Sequence, residues 1–164
     1  MSAEVDITMA TEDDLPIILA FIKGLAEYER LPHECVATID KLRNTLFSER
    51  PAAEVLIARL DGEAVGFALF FQSYSTFLAQ PGFYLEDLFV DPPARGKGIG
   101  RALLTALARL AVDRDYGRIE WSVLNWNESA IGFYRSIGAR PLDEWTTFRM
   151  SGSALQDLAR TPAA

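Results

Sequence analysis

The spacing of hydrophobic and polar residues predicts strands and helices that alternate along most of the chain. Val5–Met9 alternates as a strand, and apolar residues at helical spacing then run from Leu15 to about Glu29. The later predicted elements are a short helix from Thr38 to Phe47, strands at 54–60, 64–74 and 83–90, a helix at 100–115 ended by Gly117, a strand at 119–124, a helix at 129–137 and a last strand at 145–150. The order is β-α-α-β-β-β-α-β-α-β.

Capping and turn residues support these elements. Thr11-Glu-Asp-Asp14 has the form of a capping box, and Asp61-Gly62 is a hairpin signal between two strands. Asn127 or Ser129 is expected to cap the helix that ends at Gly138. Antiparallel hairpins followed by a helix crossover indicate an α/β (mixed α+β) fold.

Length and composition predict one soluble domain. The chain has 164 residues, of which 49% are hydrophobic, so residues 1–164 are expected to form a single compact domain. The longest apolar run is far shorter than a membrane span, and no secretion signal is recognised at the N-terminus. A single cysteine, Cys35, excludes an intrachain disulfide and favours a cytoplasmic location.

The charge of the chain constrains its partners. A formal net charge of −7 argues against binding to nucleic acid, whose phosphates require a basic surface. The same charge would attract a cationic substrate, although acidity can also serve solubility alone. With one histidine and one cysteine, no metal site is expected.

A glycine-rich loop is the most distinctive motif in this acidic chain. Arg95-Gly96-Lys97-Gly98-Ile99-Gly100 lies between a predicted strand and a predicted helix. Backbone N–H groups, a helix N-terminus and several cations together suit a phosphate group, although a flexible glycine turn with solvated bases is the alternative. The loop lacks the Ser or Thr of a Walker motif, and Arg101 stands where a dinucleotide fingerprint needs its third glycine.

Three motifs in order resemble the GNAT superfamily of N-acetyltransferases. The glycine loop matches that superfamily's Arg/Gln-x-x-Gly-x-Gly/Ala pyrophosphate loop, and WNESAIGFYRSIGA at 126–139 is similar to its second motif. YLEDLFV at 84–90 and LAEYE at 25–29 resemble its diamine (spermidine/spermine) and thialysine N-acetyltransferase branch. The similarity extends over about 5–150 and implies a GNAT fold, with a central mixed, largely antiparallel sheet flanked by helices.

The resemblance implies acetyl-CoA as the co-substrate and assigns residues to it. The strand edge would pair with the pantetheine arm through its backbone, and the glycine loop would hold the diphosphate. The cofactor residues carried over are Leu88, Phe89, Val90, Arg95, Gly96, Lys97, Gly98, Ile99, Gly100, Arg101, Asn127 and Ser129. The side chains of the three strand residues could equally be ordinary core.

Two catalytic residues follow from the resemblance. Tyr134 matches the general acid that protonates the departing thiolate, and packing in a small helix is the alternative role. Glu86 matches the candidate base, which can act through water; its alternative is a structural pair with Arg118 or Arg149. Since neighbouring strand residues face opposite sides, at least one of Glu86 and Asp87 is expected to face the interior or a cleft, with Asp87 in a structural or substrate-orienting role.

Substrate contacts are also carried over by resemblance. The acceptor residues are Tyr28, Glu29, Glu86, Glu120, Trp121, Ser122 and Glu144. Near Glu144 this chain reads Asp-Glu-Trp where the family has Glu-Glu-Gly-Trp, one residue more. Each acid singly could be surface charge, whereas a convergent set would suit a diamine.

The predicted function is acetyl-CoA-dependent N-acetylation by direct transfer in a ternary complex. The expected acceptor is the primary amine of a polyamine, a diamine or a thialysine-like amino acid. Two alternatives remain at this point: a GNAT enzyme that acetylates a protein lysine or an aminoglycoside, and a non-catalytic sensor that binds acyl-CoA. The resemblance further implies a homodimer, while the acidic charge and the short apolar runs predict no nucleic-acid or membrane partner.

Overall fold

A five-stranded sheet forms the centre of the fold in the computed structural model, which describes residues 4–163. Its strands are β1 (Val5–Met9), β2 (Glu54–Leu60), β3 (Glu63–Ser75), β4 (Gln80–Val90) and β5 (Ile119–Glu120), and they lie in the order β1-β2-β3-β4-β5. The first four strands pair antiparallel, while β5 pairs parallel to β4. The predicted mixed, largely antiparallel sheet is confirmed.

Five α-helices accompany the strands in the described part of the chain. They are α1 (Leu15–Tyr28), α2 (Ile39–Leu46), α3 (Ile99–Asp113), α4 (Glu128–Ser136) and α5 (Gly152–Arg160). Two helices begin at a capping side chain: the Thr38 hydroxyl accepts from the Lys41 N–H at 3.2 Å, and the Asn127 side chain accepts from the Ala130 N–H at 3.3 Å. The choice between Asn127 and Ser129 as cap of α4 therefore falls on Asn127.

The chain divides into two compact units, Met1–Leu124 and Asn125–Ala164. The first contains the sheet with α1, α2 and α3, and the second contains α4 and α5. Within residues 4–163, no helix combines the length and the apolar character needed to cross a membrane.

Helices cover both faces of the sheet in the first unit. Leu15, Ile18 and Phe21 of α1 pack with Ile57, with alternate residues of β3 and with Phe89 of β4 in one core. The opposite face carries the intervening buried residues, and α3 packs on that side. Burial on both faces explains why β2 reads as a nearly continuous apolar run.

Two predicted strands differ from the structure. Residues 145–150 form no strand, and Trp145 and Phe148 are 75% and 92% exposed. An alternating pattern produces a strand only where a neighbouring strand takes up its backbone hydrogen bonds. The strand predicted at 119–124 is limited to Ile119–Glu120, which pair with Phe83 and Tyr84.

The end of α3 also differs from prediction. Asp115, rather than Gly117, takes the left-handed conformation after the helix, with φ of 58°. The next N–H, of Tyr116, donates to the Ala111 carbonyl at 2.8 Å and closes the last turn. Asp tolerates this conformation better than most residues because its short polar side chain can hydrogen-bond to the nearby backbone. Gly117 instead allows the Gln80 side chain to lie close to the backbone, since a Cβ there would lie 2.6 Å from that side chain.

Candidate active site

A β-bulge in β4 places the two acidic residues of the strand. Asp87 pairs with Leu69, but the next paired residues are Leu85 and Phe70, so Glu86 is an extra residue in the ladder. Leu69 packs against the core on the α1 side, so Asp87 faces that side too. Regular alternation, on which the sequence analysis relied, is therefore interrupted here.

Both carboxylates line one cavity beside α1. The cavity has a volume of about 360 Å³ and is bounded by Ile22, Leu25, Ala26, Glu29, Leu31, Glu34, Cys35, Val36, Ala37, Glu86 and Asp87. Its wall is thus apolar on one part and acidic on another. Such a wall suits a ligand with an aliphatic stem and a cationic end.

Burial and mutual repulsion change the acidity of this cluster. Burial, followed by the charges of Glu86 and Glu29, raises the pKa of Asp87 to about 7. Burial and the Glu86 charge also raise the pKa of Glu29 above its ordinary value. The cluster therefore favours a bound proton or cation near neutral pH.

Glu29 and Glu86, which are predicted acceptor residues, line one cavity together with Glu34, which no sequence pattern indicated. Glu34 lies in a short 3-10 turn (Pro32–Glu34) after α1, and it reaches the cavity together with Cys35. A solvated acid in a proline-containing loop has no periodic signal that would have identified it. The sequence feature that indicated an acidic site was the formal net charge of −7 alone.

The glycine loop turns its backbone toward open space. Gly96 and Gly98 have φ of 77° and 79°, and a Cβ on either would meet no heavy atom within 4 Å. Gly98 also precedes α3, whose first-turn N–H groups have no acceptor within the helix, and a glycine brings no capping side chain. The loop, with the exposed Lys97 nearby, fits a phosphate group.

The edge of β4 that leads into this loop is open. β5 pairs with β4 at Phe83 and Tyr84, and within residues 4–163 no strand pairs with the same edge farther along, from Leu85 to Val90. The Asp91 N–H points to β3, where it donates to the Val65 carbonyl at 2.8 Å. Because the peptide is trans, the Val90 carbonyl points the other way, to the open edge. An extended ligand could add there as a strand.

Arg95, the first residue of the loop, has its side chain on this edge. Its Nε–H donates to the Val90 carbonyl at 2.8 Å. The guanidinium carbon lies 4.8 Å from the centre of the Tyr28 ring and 5.5 Å from that of Phe89. Arg95 therefore joins the end of β4 to the C-terminal end of α1.

The remaining predicted acceptor residues of the first unit make other contacts. Glu120 forms an ion pair with Arg118 at 2.9 Å, so Arg118 is a partner of Glu120 and the alternative pair of Glu86 with Arg118 is not observed. The Ser122 and Tyr84 hydroxyls are hydrogen-bonded at 2.9 Å. Trp121 is half-buried in the segment after β5.

The second unit carries the other predicted site residues. Tyr134 lies in α4 and is half-buried, with its ring centre 5.6 Å from that of Phe133. Ser129 is exposed in the first turn of the same helix, which Asn127 caps. Glu144 is exposed and lies outside any helix or strand.

Comparison with known proteins identifies relatives along most of the chain. The sequence model of the acetyltransferase (GNAT) family matches residues 22–139. A thialysine N-epsilon-acetyltransferase from Sus scrofa is 37% identical, over 96% of this chain and 98% of that protein. An L-ornithine N5-acetyltransferase from Arabidopsis thaliana is 36% identical, over 92% of this chain and 86% of that protein.

A solved structure extends the similarity to the fold. An integron cassette protein from the mobile metagenome of V. cholerae superposes with a TM-score of 0.80 at 31% identity. The superposition covers 98% of this chain and 99% of that protein. The two proteins thus share a fold over nearly all of the described residues.

Proposed function

This chain belongs to the GNAT acetyltransferase family, and we propose that it transfers an acetyl group from acetyl-CoA to the primary amine of a small cationic acceptor. It is an N-acetyltransferase, as are its named relatives. The observation that carries the proposal is the layout of one strand: β4 bears the acidic bulge, then an open edge, and then the glycine loop.

Acetyl-CoA would be held by the backbone of this chain more than by its side chains. The Leu88–Val90 edge would receive the pantetheine arm as an added strand, and Gly96 to Gly100 with the N-terminus of α3 would receive the diphosphate. Asn127, Ser129 and Arg101 are further proposed contacts, carried over from the family motifs. The bound thioester supplies the acetyl group.

The acceptor would be bound in the acidic cavity. Glu29, Glu86 and Asp87 attract an ammonium group, while the apolar wall from α1 accommodates a methylene chain. The two curated relatives are named for acetylation of the side-chain nitrogen of thialysine and ornithine. A thialysine-like amino acid, a diamine or a polyamine therefore fits the cavity best.

The nitrogen loses two protons during the reaction, and the sulfur gains one. We assign the first, lost by the ammonium nitrogen before it attacks, to a carboxylate oxygen of Glu86, directly or through water, with Asp87 beside it. We assign to the Tyr134 hydroxyl the proton that goes to the sulfur of the leaving thiolate, since a phenol keeps its proton at neutral pH, and the second proton of the nitrogen restores that hydroxyl, directly or through water. The amine and the thioester would meet in a ternary complex, without an acyl-enzyme.

Release of free thiol from acetyl-CoA, measured against a panel of amines, tests the proposal. Turnover with thialysine, ornithine or a polyamine is the expected result. Turnover confined to protein lysines or aminoglycosides would support the alternative acceptors, and binding without turnover would support a sensor. The homodimer implied by the family resemblance stays a prediction, and light scattering would measure its mass.

Substitution in the glycine loop should separate cofactor binding from folding. We expect Gly98→Val to raise the KM for acetyl-CoA about tenfold or more, because a side chain would occupy the space above the loop. The positive φ also makes valine strained there, by about 1–3 kcal/mol. Gly62→Val is the matched control, since Gly62 has φ of 87° and equally open surroundings in the β2–β3 hairpin.

Both variants should melt at lower temperature, whereas the KM for acetyl-CoA should change in Gly98→Val alone. Gly100→Val provides a second variant free of the positive φ, because Gly100 lies within α3. Normal acetyl-CoA affinity in a folded Gly98→Val and Gly100→Val would reject the loop as the diphosphate site.

Removal of one charge from the cavity should discriminate between acceptors. We expect Glu29→Gln to raise the KM for a diamine about fivefold more than the KM for a neutral-tailed monoamine of similar length. A fivefold change corresponds to the free energy of one partly exposed ion pair. The matched control is Glu27→Gln, which removes an exposed charge from α1 outside the cavity. Equal losses for the two amines, measured as KM, would exclude a contact between Glu29 and the distal amine.

A further inference from the structure

The side chain of Arg95 makes three contacts that do not involve phosphate. Its Nε–H donates to the Val90 carbonyl at 2.8 Å, and its guanidinium lies over the rings of Tyr28 and Phe89 at 4.8 and 5.5 Å. Tyr28 is the last residue of α1, and the next residue, Glu29, lines the acidic cavity. One side chain thus connects the open strand edge with the helix end beside the cavity.

The packing under Arg95 makes this connection stiff. Phe89 is 5% exposed, and its ring centre lies 5.9 Å from that of Phe21 of α1, with the two ring planes tilted by 50°. A Cβ on Gly24 would lie 2.8 Å from the Phe89 ring, so α1 is close to β4 here. Tyr28, by contrast, is 39% exposed and lies at the end of its helix. Arg95 therefore holds the exposed Tyr28 ring in place through its contact with the buried Phe89 ring.

The contact with Val90 also lies where an added strand would pair. The Val90 carbonyl faces the open edge, and one of its two lone pairs already accepts from Arg95. A ligand that pairs with this end of the edge must share the carbonyl with Arg95 or displace Arg95 from it. Displacement would in turn free the guanidinium from Tyr28.

We propose that Arg95 is a positioning residue that couples the acetyl-CoA edge of β4 to the amine-binding end of α1. The proposal rests on the proposed function, because it assigns those two ligands to the two ends of the contact. Replacement of a cation that contacts the diphosphate alone would change the KM for acetyl-CoA and leave the KM for the amine unchanged. Arg95, in contrast, should affect both ligands.

Lysine separates these roles. Arg95→Lys keeps the positive charge, but an ammonium lacks the planar guanidinium that donates through Nε while it lies over two rings. We expect Arg95→Lys and Arg95→Met each to raise the KM for the amine about three- to fivefold, the usual effect of one cation–π contact. Lys97→Met is the control: it removes an exposed cation of the same loop and should change the KM for acetyl-CoA but not that for the amine.

A double-mutant cycle tests the coupling itself. Tyr28→Leu removes the ring, and its effect on the amine KM should not multiply with that of Arg95→Met, because each substitution abolishes the same contact. Full restoration of the amine KM by Arg95→Lys, or multiplicative effects in the double variant, would overturn the proposal. Melting curves confirm that each variant is folded, with Arg95→Lys as the mildest change.

A measurement without turnover keeps this proposal distinct from the proposed function. In the protein labelled with ¹⁵N-arginine, the Arg95 Nε–H should exchange slowly with water because it is bonded to the Val90 carbonyl, and Tyr28→Leu should speed that exchange at least about threefold. Rapid exchange in the unsubstituted protein would overturn the proposal. Absence of thiol release with every amine would reject the proposed function and leave this exchange result intact.

Discussion

Replacement of Tyr134 by phenylalanine is expected to lower the turnover number at least about tenfold while acetyl-CoA affinity and melting temperature stay unchanged. General acid catalysis contributes about 10²–10⁴-fold, and water can replace part of it. The substitution keeps the ring that packs beside Phe133 and removes the hydroxyl alone. A group that acts in the transition state affects kcat more than binding, so steady-state kinetics with saturating acetyl-CoA measure the effect.

Tyr116→Phe is a matched control for the loss of a phenol. The Tyr116 hydroxyl donates to the Gln72 side chain at 2.8 Å, so its removal should lower the melting temperature without a change in turnover. The alkaline limb of the pH profile should weaken in Tyr134→Phe and remain in Tyr116→Phe. If Tyr134→Phe behaved like Tyr116→Phe, Tyr134 would be a packing residue and water would be the acid.

Much of the fold could be predicted because local signals and burial agree. The β2 segment is a nearly continuous apolar run because helices cover both faces of the sheet, and Asp61-Gly62 forms the turn to β3. Thr38 and Asn127 cap their helices through hydrogen bonds that involve residues three positions away. Features with such short range are visible in a sequence.

Features that depend on a neighbouring strand could not be predicted in the same way. The bulge at Glu86 arises from the pairing of β4 with β3, and no residue pattern within β4 marks it. Residues 145–150 have the composition of a strand but no strand pairing in the structure. Both the bulge and the absence of a strand at 145–150 depend on tertiary contacts, which a short window of sequence does not contain.

The candidate site also combines local features, which the sequence predicts, with features that depend on tertiary contacts. The glycine loop was predicted because its backbone geometry requires glycine at positive φ, as at Gly96 and Gly98. The contacts of Arg95 and the position of Glu34 depend on how α1 meets β4, so sequence spacing alone did not reveal them. The motif predicted Arg95 as a cofactor residue, and its contact with Tyr28 was visible in the structure alone.

The two acids of the bulge should respond differently to neutral replacement. We expect Glu86→Gln to lower kcat by about 10²-fold or more, the contribution of a general base. Asp87→Asn should lower kcat less but should remove the acidic limb near pH 7 from kcat/KM, because the pKa of Asp87 is raised to about 7. The two substitutions are isosteric and adjacent, so each is the control for the other. A larger loss of kcat in Asp87→Asn would assign the base to Asp87.

Stability provides an independent measurement of the same carboxyl group. The raised pKa means that the folded protein keeps the Asp87 proton up to about pH 7, whereas the unfolded chain releases it near its ordinary value of 3.8. This stabilisation is fully present below pH 3.8 and is lost as the pH rises through 7. Asp87→Asn removes the buried charge, so above pH 7 it should melt at a higher temperature than the unsubstituted protein.

Glu86→Gln removes a charge that raises the pKa of Asp87, so it should shift both the stability loss and the kinetic limb to lower pH. Identical melting curves for all three proteins from pH 4 to 8 would mean that Asp87 is ionised throughout, and the cavity would then hold a carboxylate rather than a proton.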